Sequence, residues 1–337
     1  LTVVNLVKPG LTDGQPDPEI LAIIQNQSAE DLAAAEMKME SATSVGLGVI
    51  PDLLQRMIPP NIFAAASDNS AMLALIFVAL MTAFALAGMS GAPREHLLGF
   101  FEGLNTLTLI ITNWIMKTAP IGVFGLIAAI VAKTGLGIFG KLTAYFFTVF
   151  AALGIHLFII LPLVLFLLAR VKPWRHFAAM RPALLTAFST ASSSATLPVS
   201  MRCIQENAGV SKRVTSFTVP LGATVNMDGT ALYECVAVLF VAQVLGQGMD
   251  FAGQFMVVVL ALMTSIGVAG VPSASLVAII IILNNTGIEG AAGAIAAILA
   301  VDRPLDMART AVNIFSDSCG AVVIANSEGE ELEPLRS

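Results

Sequence analysis

Hydrophobic residues run in long stretches along this chain, and few polar positions interrupt them. Residues 71–89 are apolar over about 19 positions, the length that crosses a bilayer core. A second apolar run covers 105–132, broken by Lys117 and Pro120. The cleanest covers 142–169, with no formal charge between Lys141 and Arg170. After that the pattern changes. Residues 184–201, LLTAFSTASSSATLPVSM, are too short and too serine-rich to cross a membrane alone. Residues 214–246 are long enough to cross but hold NMDGT in their middle, and residues 251–288 carry no charge yet have SIGVAGVPSAS at their centre. The stretches around 184–201 and 251–288 read as two re-entrant hairpins of short helical arms. Non-helical backbone at membrane depth survives only where protein buries it or it lines a cavity. Paired interrupted segments point to the binding site of a transporter.

The start of the chain is more polar. LTVVNLVKPG, residues 1–10, reads as the tail of an apolar helix, so the chain is expected to lack its natural N-terminus. Residues 9–45, with Asp13, Asp17, Glu19, Glu30 and Asp31, read as mostly an external loop, with AEDLAAAEMKMES as a short solvated helix inside it. IPDLLQRMIPPNIFAAAS follows as a short interfacial piece. Basic residues set the orientation. Arg170, Lys172, Arg175 and Arg181 are read as one connection and Arg202, Lys212 and Arg213 as another. Both flank the serine-rich hairpin, which therefore enters from the cytoplasm. The span 214–246 then places the second hairpin on the outside, and two hairpins of opposite approach imply an inverted repeat.

Composition agrees with a membrane protein. The chain has 337 residues, 56% hydrophobic and 12% charged, with a mean hydropathy of +0.85. Soluble domains carry about 25% charged residues. A net charge of −6 without a basic stripe speaks against nucleic acid as a partner. Cys203, Cys235 and Cys319 share no metal or CxxC spacing. There is no P-loop signature and no HExxH, which argues against ATP-driven transport and zinc-protease chemistry. No nucleophile, base and orienting group occur at a recognisable spacing, so an enzyme is not expected. His96, His156 and His176 are scattered and read as packing or surface residues.

The candidate chemistry lies in the interruptions. In VDRPLDMARTAVNIFSDSCGAVVIA, residues 301–325, a helical projection puts Asp302, Asp306, Arg309, Thr310, Asn313 and Asp317 within a stripe of about 100°. Leu305, Val312 and Ile314 fall outside it. Ionisable groups inside a membrane mark ion or substrate paths. Asn226, Asp228 and Thr230 of NMDGT are spaced so that they share no helix face, and Gly222 and Gly229 flank them. That pattern predicts an unwound break able to coordinate a hard cation. Glu234 lies one turn on; a carboxyl at that depth is readily neutralised, which makes it a candidate proton carrier. Serines 192–194 and GVAGVPSAS would present N–H groups and hydroxyls suited to a carboxylate.

Four segments in order, SSSATLP, GATVNMDGTALYE, SIGVAGVP and DMARTAVN followed by Asp317, resemble the signatures of the dicarboxylate/amino acid:cation symporters, the glutamate and aspartate transporters. The similarity covers residues 50–330. It implies an all-α polytopic membrane protein, an inverted-repeat transporter with two re-entrant hairpins and an elevator-type fold, in homotrimers at the cell membrane. Residues 1–104 would hold the end of a third helix, an external loop and the fourth-helix region of the scaffold. Residues 105–140 would be a fifth, scaffold helix. Residues 141–170 would be a sixth helix, opening the transport domain, and 171–337 its core. That core would comprise hairpin 1 at about 180–204, a broken helix at 212–246, hairpin 2 at 251–288 and a last helix at 291–326.

The resemblance also implies roles. Arg309 matches the arginine that holds the substrate's side-chain carboxylate, and neutral-amino-acid members lack it. Asp306 matches the acid that meets the amine, with Thr310 and Asn313 beside the amine and α-carboxylate. Ser193, Val271, Thr230 and Ser275 complete the substrate set. Sodium would be held at one site by Gly222, Asn226, Asn313 and Asp317, and at a second by Thr224, Ser265, Ile266 and Val268. Asn226 and Asp228 would contribute to a third. Glu234 resembles the animal transporters, in which the matching acid goes with proton coupling and potassium counter-transport. No cofactor beyond these coupling ions is implied. The chain departs from the pattern at Ala191 and Met307, the two places where many members carry a second arginine. Asp302 and Arg303 have no role in this reading. The function expected is sodium-coupled symport of L-aspartate or L-glutamate. Its alternatives are a C4-dicarboxylate or neutral amino acid symporter, or a channel-like anion conductance.

Overall fold

A computed structural model describes residues 1–25, 72–116, 142–266, 275–286 and 291–336, with a few single positions between them. The helical segment that opens the chain is α1, Thr2–Val7, which ends on Lys8 in a left-handed conformation. The stretch expected to be mostly loop then begins with regular structure. Strands β1, Leu11–Thr12, and β2, Gln15–Pro16, pair antiparallel, and helix α2, Pro18–Gln25, follows. The turn between the strands is Asp13-Gly14, both at positive φ, as a tight hairpin turn requires. Asp17 then caps α2 by accepting from Glu19 N at 2.9 Å and Ile20 N at 3.2 Å. Both signals are local, and a reading based on polarity alone passed over them. The solvated helix expected within 29–41 lies outside the described residues, as does most of the interfacial piece.

Helix α3, Met72–Gly88, coincides with the first apolar run. Helix α4, Ala92–Met116, starts well before the second run, because APREHLLGFFEG continues the same helix in more polar residues. A boundary at 104/105 therefore falls inside one helix. Helix α5, Thr143–Ala169, has 27 residues and matches the cleanest span. It contains two π-helical turns, His156–Ile160 and Leu165–Ala169, on either side of Pro162, which cannot donate to an α-helical ladder. One face of α5 buries Tyr145, Val149, Leu153, Leu161 and Leu165. The other exposes Phe147, Phe158, Phe166 and Leu167.

The serine-rich stretch forms α6, Pro173–Thr190, and α7, Ser193–Arg202, packed against one another. Ala191, in the left-handed region at φ 50°, ends α6, and the Ser192 hydroxyl caps α7 by accepting from Ala195 N at 3.2 Å. Here the basic-connection reading is corrected: Arg175 and Arg181 lie on α6, not in a loop before it. Proline at the first helical position starts the helix early. His176, Ala179, Met180, Ala183 and Ala187 then bury one face at helical spacing, which leaves the arginines outside.

Next come α8, Lys212–Val225, and α9, Asp228–Val244. The helical path is broken at Asn226 and Met227, within NMDGT as predicted. Helices α10, Phe251–Ser265, and α11, Ser275–Thr286, pack together across the uncharged segment. The last long helix, α12, covers Ala291–Ser327, and a short α13, Glu333–Arg336, folds back so that Lys172 N donates to Leu335 O at 3.0 Å. Helix α12 is the hub, in contact with α6, α8 and α9. Leu305, Val312 and Ile314, opposite its polar stripe, are buried as well, so protein surrounds α12 in this stretch.

Candidate functional site

Proline cannot sit in a central α-helical turn without loss of a hydrogen bond, and glycine lowers the barrier to a bend. Pro220, Gly222 and Gly229 bracket the α8–α9 break, which brings the backbone of both helices onto α12. A Cβ added at Gly229 would lie 2.8 Å from both Arg309 O and Asn313 Oδ1. One added at Gly222 would lie 2.7 Å from Asp317 Oδ1. The glycines therefore mark where the two halves of the site touch.

The first half centres on Arg309, which is 4% exposed. Its Nε donates to Asp306 Oδ1 at 2.9 Å, its Nη2 donates to the same oxygen, and its Nη1 donates to Thr230 Oγ1 at 2.8 Å. Asn313 Nδ2 also donates to Thr230 Oγ1, at 2.9 Å, while Asn313 Oδ1 accepts from Thr230 N at 3.3 Å. Thus Asp306, Arg309, Asn313 and Thr230 form one buried network. Three of the five guanidinium donors are used, which leaves two for a ligand. Thr310 belongs to the same face, but its hydroxyl donates back to Asp306 O at 2.8 Å.

The second half centres on Asp317. Asn226 Nδ2 donates to Asp317 Oδ1 at 3.1 Å and to Ser316 Oγ at 2.9 Å. Asp317 Oδ2 is buried and has no hydrogen-bond partner. A buried carboxylate oxygen without a donor is costly unless a cation or proton meets it. Gly222, Asn226 and Ser316 thus gather around a carboxylate that keeps one unsatisfied acceptor. Ser316 was not singled out from the sequence, although it sits beside Asp317 on the same helix.

Other expected members are placed apart from these two groups. Asp228 turns to His156 on α5, whose Nε2 lies 2.5 Å from Asp228 Oδ2, and not to Asn226. That corrects the bland reading of His156. The signal was present, since an ionisable side chain in the middle of a membrane-length span is unusual. Its partner is 72 residues away and invisible to spacing. His176, by contrast, is a packing residue as expected, bonded to Ser318 Oγ at 2.8 Å. Thr224 and Ser265 each donate to a carbonyl of their own helix, Leu221 O at 2.9 Å and Leu262 O at 3.0 Å. Ile266 is the extended residue that ends α10. Ser193 is buried in the first turn of α7, and Ser275 is buried at the start of α11 with its hydroxyl unpartnered. Val268 and Val271 lie outside the described residues. Glu234 is buried on α9, where its Oε2 accepts from Thr264 on α10 at 3.0 Å while its Oε1 has no partner.

The two residues left without a role also find partners. Tyr233 donates its hydroxyl to Asp302 Oδ1 at 2.7 Å. Arg303 Nη2 donates to Thr190 O at 3.3 Å, and its Nη1 lies 3.8 Å from Asp306 Oδ2.

Comparison with known proteins places this geometry in a setting. The profile of the sodium:dicarboxylate symporter family matches residues 1–327. The chain is 41% identical to the human excitatory amino acid transporter 1 over 77% of its own length and 48% of that protein's. It is 42% identical to the mouse excitatory amino acid transporter 3 over 80% of its length and 51% of the relative's. The bovine excitatory amino acid transporter 3 aligns at 35% identity over 99% of the chain and 70% of the relative. The chain spans about half the length of the first two.

Proposed function

The chain belongs to the sodium:dicarboxylate symporter family, and from that membership we propose that it forms the substrate-binding part of a secondary transporter that couples uptake of L-aspartate or L-glutamate to sodium. One observation carries the substrate assignment: the buried Arg309 guanidinium, paired with Asp306 and Thr230, keeps two donors unused. An acidic amino acid brings a carboxylate for Arg309 and an ammonium for Asp306. A single ligand thereby replaces both ends of the internal ion pair. A ligand that answers only one end leaves a buried charge uncompensated, which costs about 3–5 kcal/mol. A C4-dicarboxylate leaves Asp306 with only the 3.8 Å contact to Arg303, and a neutral amino acid leaves Arg309 without a second anion. The names of the excitatory amino acid transporters agree with this choice.

In this reading Thr230, Thr310 and Asn313 line the substrate, with Ser193, Val271 and Ser275 approaching from the ends of the helical pairs. The unpartnered Asp317 oxygen, with Gly222, Asn226 and Asn313, takes one sodium ion. Thr224, Ser265, Ile266 and Val268 take a second, and Asn226 with Asp228 serve a third, Asp228 being oriented by His156. Glu234 carries a proton, and potassium returns in the opposite direction. The α6–α7 and α10–α11 pairs are re-entrant hairpins of opposite approach. Residues 141–337 move as an elevator against a scaffold made by 1–140, in a homotrimer, as a multi-pass protein of the cell membrane.

The test is uptake of labelled substrate by the complete protein in proteoliposomes. An inward sodium gradient should drive accumulation of L-aspartate or L-glutamate, and Arg309→Cys should abolish it. Accumulation of succinate or a neutral amino acid in place of both acids overturns the assignment.

A further inference from the structure

Arg303 sits on the face of α12 that meets the turn between α6 and α7, and its side chain is 11% exposed. Its Nη2 donates to Thr190 O at 3.3 Å. That carbonyl belongs to the last turn of α6, where a helix leaves carbonyls without intrahelical donors and favours a cation. Its Nη1 is 3.8 Å from Asp306 Oδ2, whereas Arg309 holds Asp306 Oδ1. The two arginines therefore stand on opposite oxygens of one carboxylate. Arg303 Nε has no partner, so the residue is not placed by ideal packing of all its donors.

Charge counting bears on why a partly buried, incompletely bonded arginine stands there. Asp302, Arg303, Asp306 and Arg309 contribute −1, +1, −1 and +1, a sum of zero. Without Arg303 the sum is −1. Two further buried acids, Glu234 and Asp317, are left out of this sum because in the proposed function a proton answers the charge of Glu234 and sodium that of Asp317. An acidic amino acid has two carboxylates and one ammonium, so it arrives with a net charge of −1. In a medium of low dielectric, an anion meeting a cluster that is already negative is strongly disfavoured.

We propose that Arg303 is a positioning residue of the substrate site, which holds the α6–α7 turn against Asp306 and supplies the charge that keeps this cluster neutral and able to accept an anionic substrate. The inference rests on the acidic-substrate reading above.

Equilibrium binding of L-aspartate and L-glutamate to the purified complete protein in saturating sodium tests it, with Arg303→Gln and the double variant Asp302→Asn/Arg303→Gln beside the wild type. Loss of one unit charge at about 7 Å and an effective dielectric of about 20 should weaken acid binding about fiftyfold in Arg303→Gln. The double variant returns the cluster to neutrality, and the amide introduced by Asp302→Asn still accepts the Tyr233 hydroxyl. It should recover the part of the affinity that was lost through charge, though not the part lost with the contact to Thr190 O. It should therefore bind several-fold more tightly than Arg303→Gln, a non-additivity that independent structural defects do not produce. Should Arg303→Gln alone fail to fold, recovery of folding and affinity in the double variant supports the proposal by itself. Unchanged affinity in Arg303→Gln overturns it, as does a double variant no better than the single one. A wild type that binds neither acid removes the proposed function and this inference with it. A wild type that binds an acid beside indifferent variants removes the role of Arg303 alone.

Discussion

Glu234 shows how a single residue can be read from its surroundings. It is fully buried, receives one hydrogen bond from Thr264, and leaves its second carboxylate oxygen without a partner. A charged carboxylate in that position is costly to desolvate, whereas a protonated one has an O–H to donate. Glutamine has the same shape and is permanently uncharged. If Glu234 carries a proton, Glu234→Gln should leave sodium-dependent exchange of substrate intact and abolish the pH dependence of net uptake. Both are measured on one proteoliposome preparation across pH 5.5 to 8, a window of roughly the physiological range in which coupled protons are exchanged. A pH profile equal to that of the wild type removes Glu234 from the role. At this scale Asp306, Arg309, Asn313, Asp317 and Glu234 were legible in the sequence, because polar groups in an apolar run stand out whatever the fold. His156, Ser316, Asp302 and Arg303 acquired their meaning only from partners distant in the chain, among them Asp228, Asn226, Tyr233 and Thr190.

Among the elements, the break between α8 and α9 matters most for the site. It lets two helix ends approach α12 so closely that only hydrogen fits at Gly229, with Arg309 O, Asn313 Oδ1 and Val312 Cβ at 2.8, 2.8 and 3.0 Å from a notional Cβ. Gly229→Ala should push α9 from α12, at an overpacking cost of roughly 1–3 kcal/mol. The expected outcome is a lower unfolding temperature together with weaker acid binding, since Thr230 next to it bonds both Arg309 and Asn313. Gly99→Ala is the control: it lies within α4 with nothing near its notional Cβ, so it should be neutral or stabilise by about 0.5–1 kcal/mol. Equal effects of the two substitutions in a thermal unfolding assay would count against the close approach. The break itself, the two interrupted segments and the last helix were all visible as Gly, Pro, Ser and charge within apolar runs. The β1–β2 ribbon, the early start of α4 and the early start of α6 were not, because each joins polar residues to structure through a turn, a cap or an amphipathic face.

For the whole molecule, the proposed membrane setting can be tested on the apolar surface left exposed. Phe147, Phe158, Phe166 and Leu167 on α5 are exposed although every one is large and apolar. So is Trp174 at the start of α6, close to Arg170, Lys172 and Arg175, where the aromatic belt of a membrane interface is expected. These 337 residues include two tryptophans, Trp114 and Trp174. With Trp114 and any tryptophan outside this chain replaced by Phe in the complete protein, fluorescence of Trp174 should be quenched by lipids brominated near the headgroup more than by lipids brominated near the chain end. The reverse order, or no quenching, would remove α6 from the interface. The sequence by itself determined the class of the molecule, the positions of its interruptions and most of the chemically active side chains, since the cost of burying charge and polar backbone in apolar surroundings acts on each residue locally. Tertiary structure alone decided which of those side chains meet: Arg309 with Thr230, Asn226 with Asp317, Asp228 with His156, Arg303 with Thr190. Those pairs depend on how α5, α6, α8 and α9 pack around α12, and contacts between elements far apart in the chain leave no periodicity in it to read.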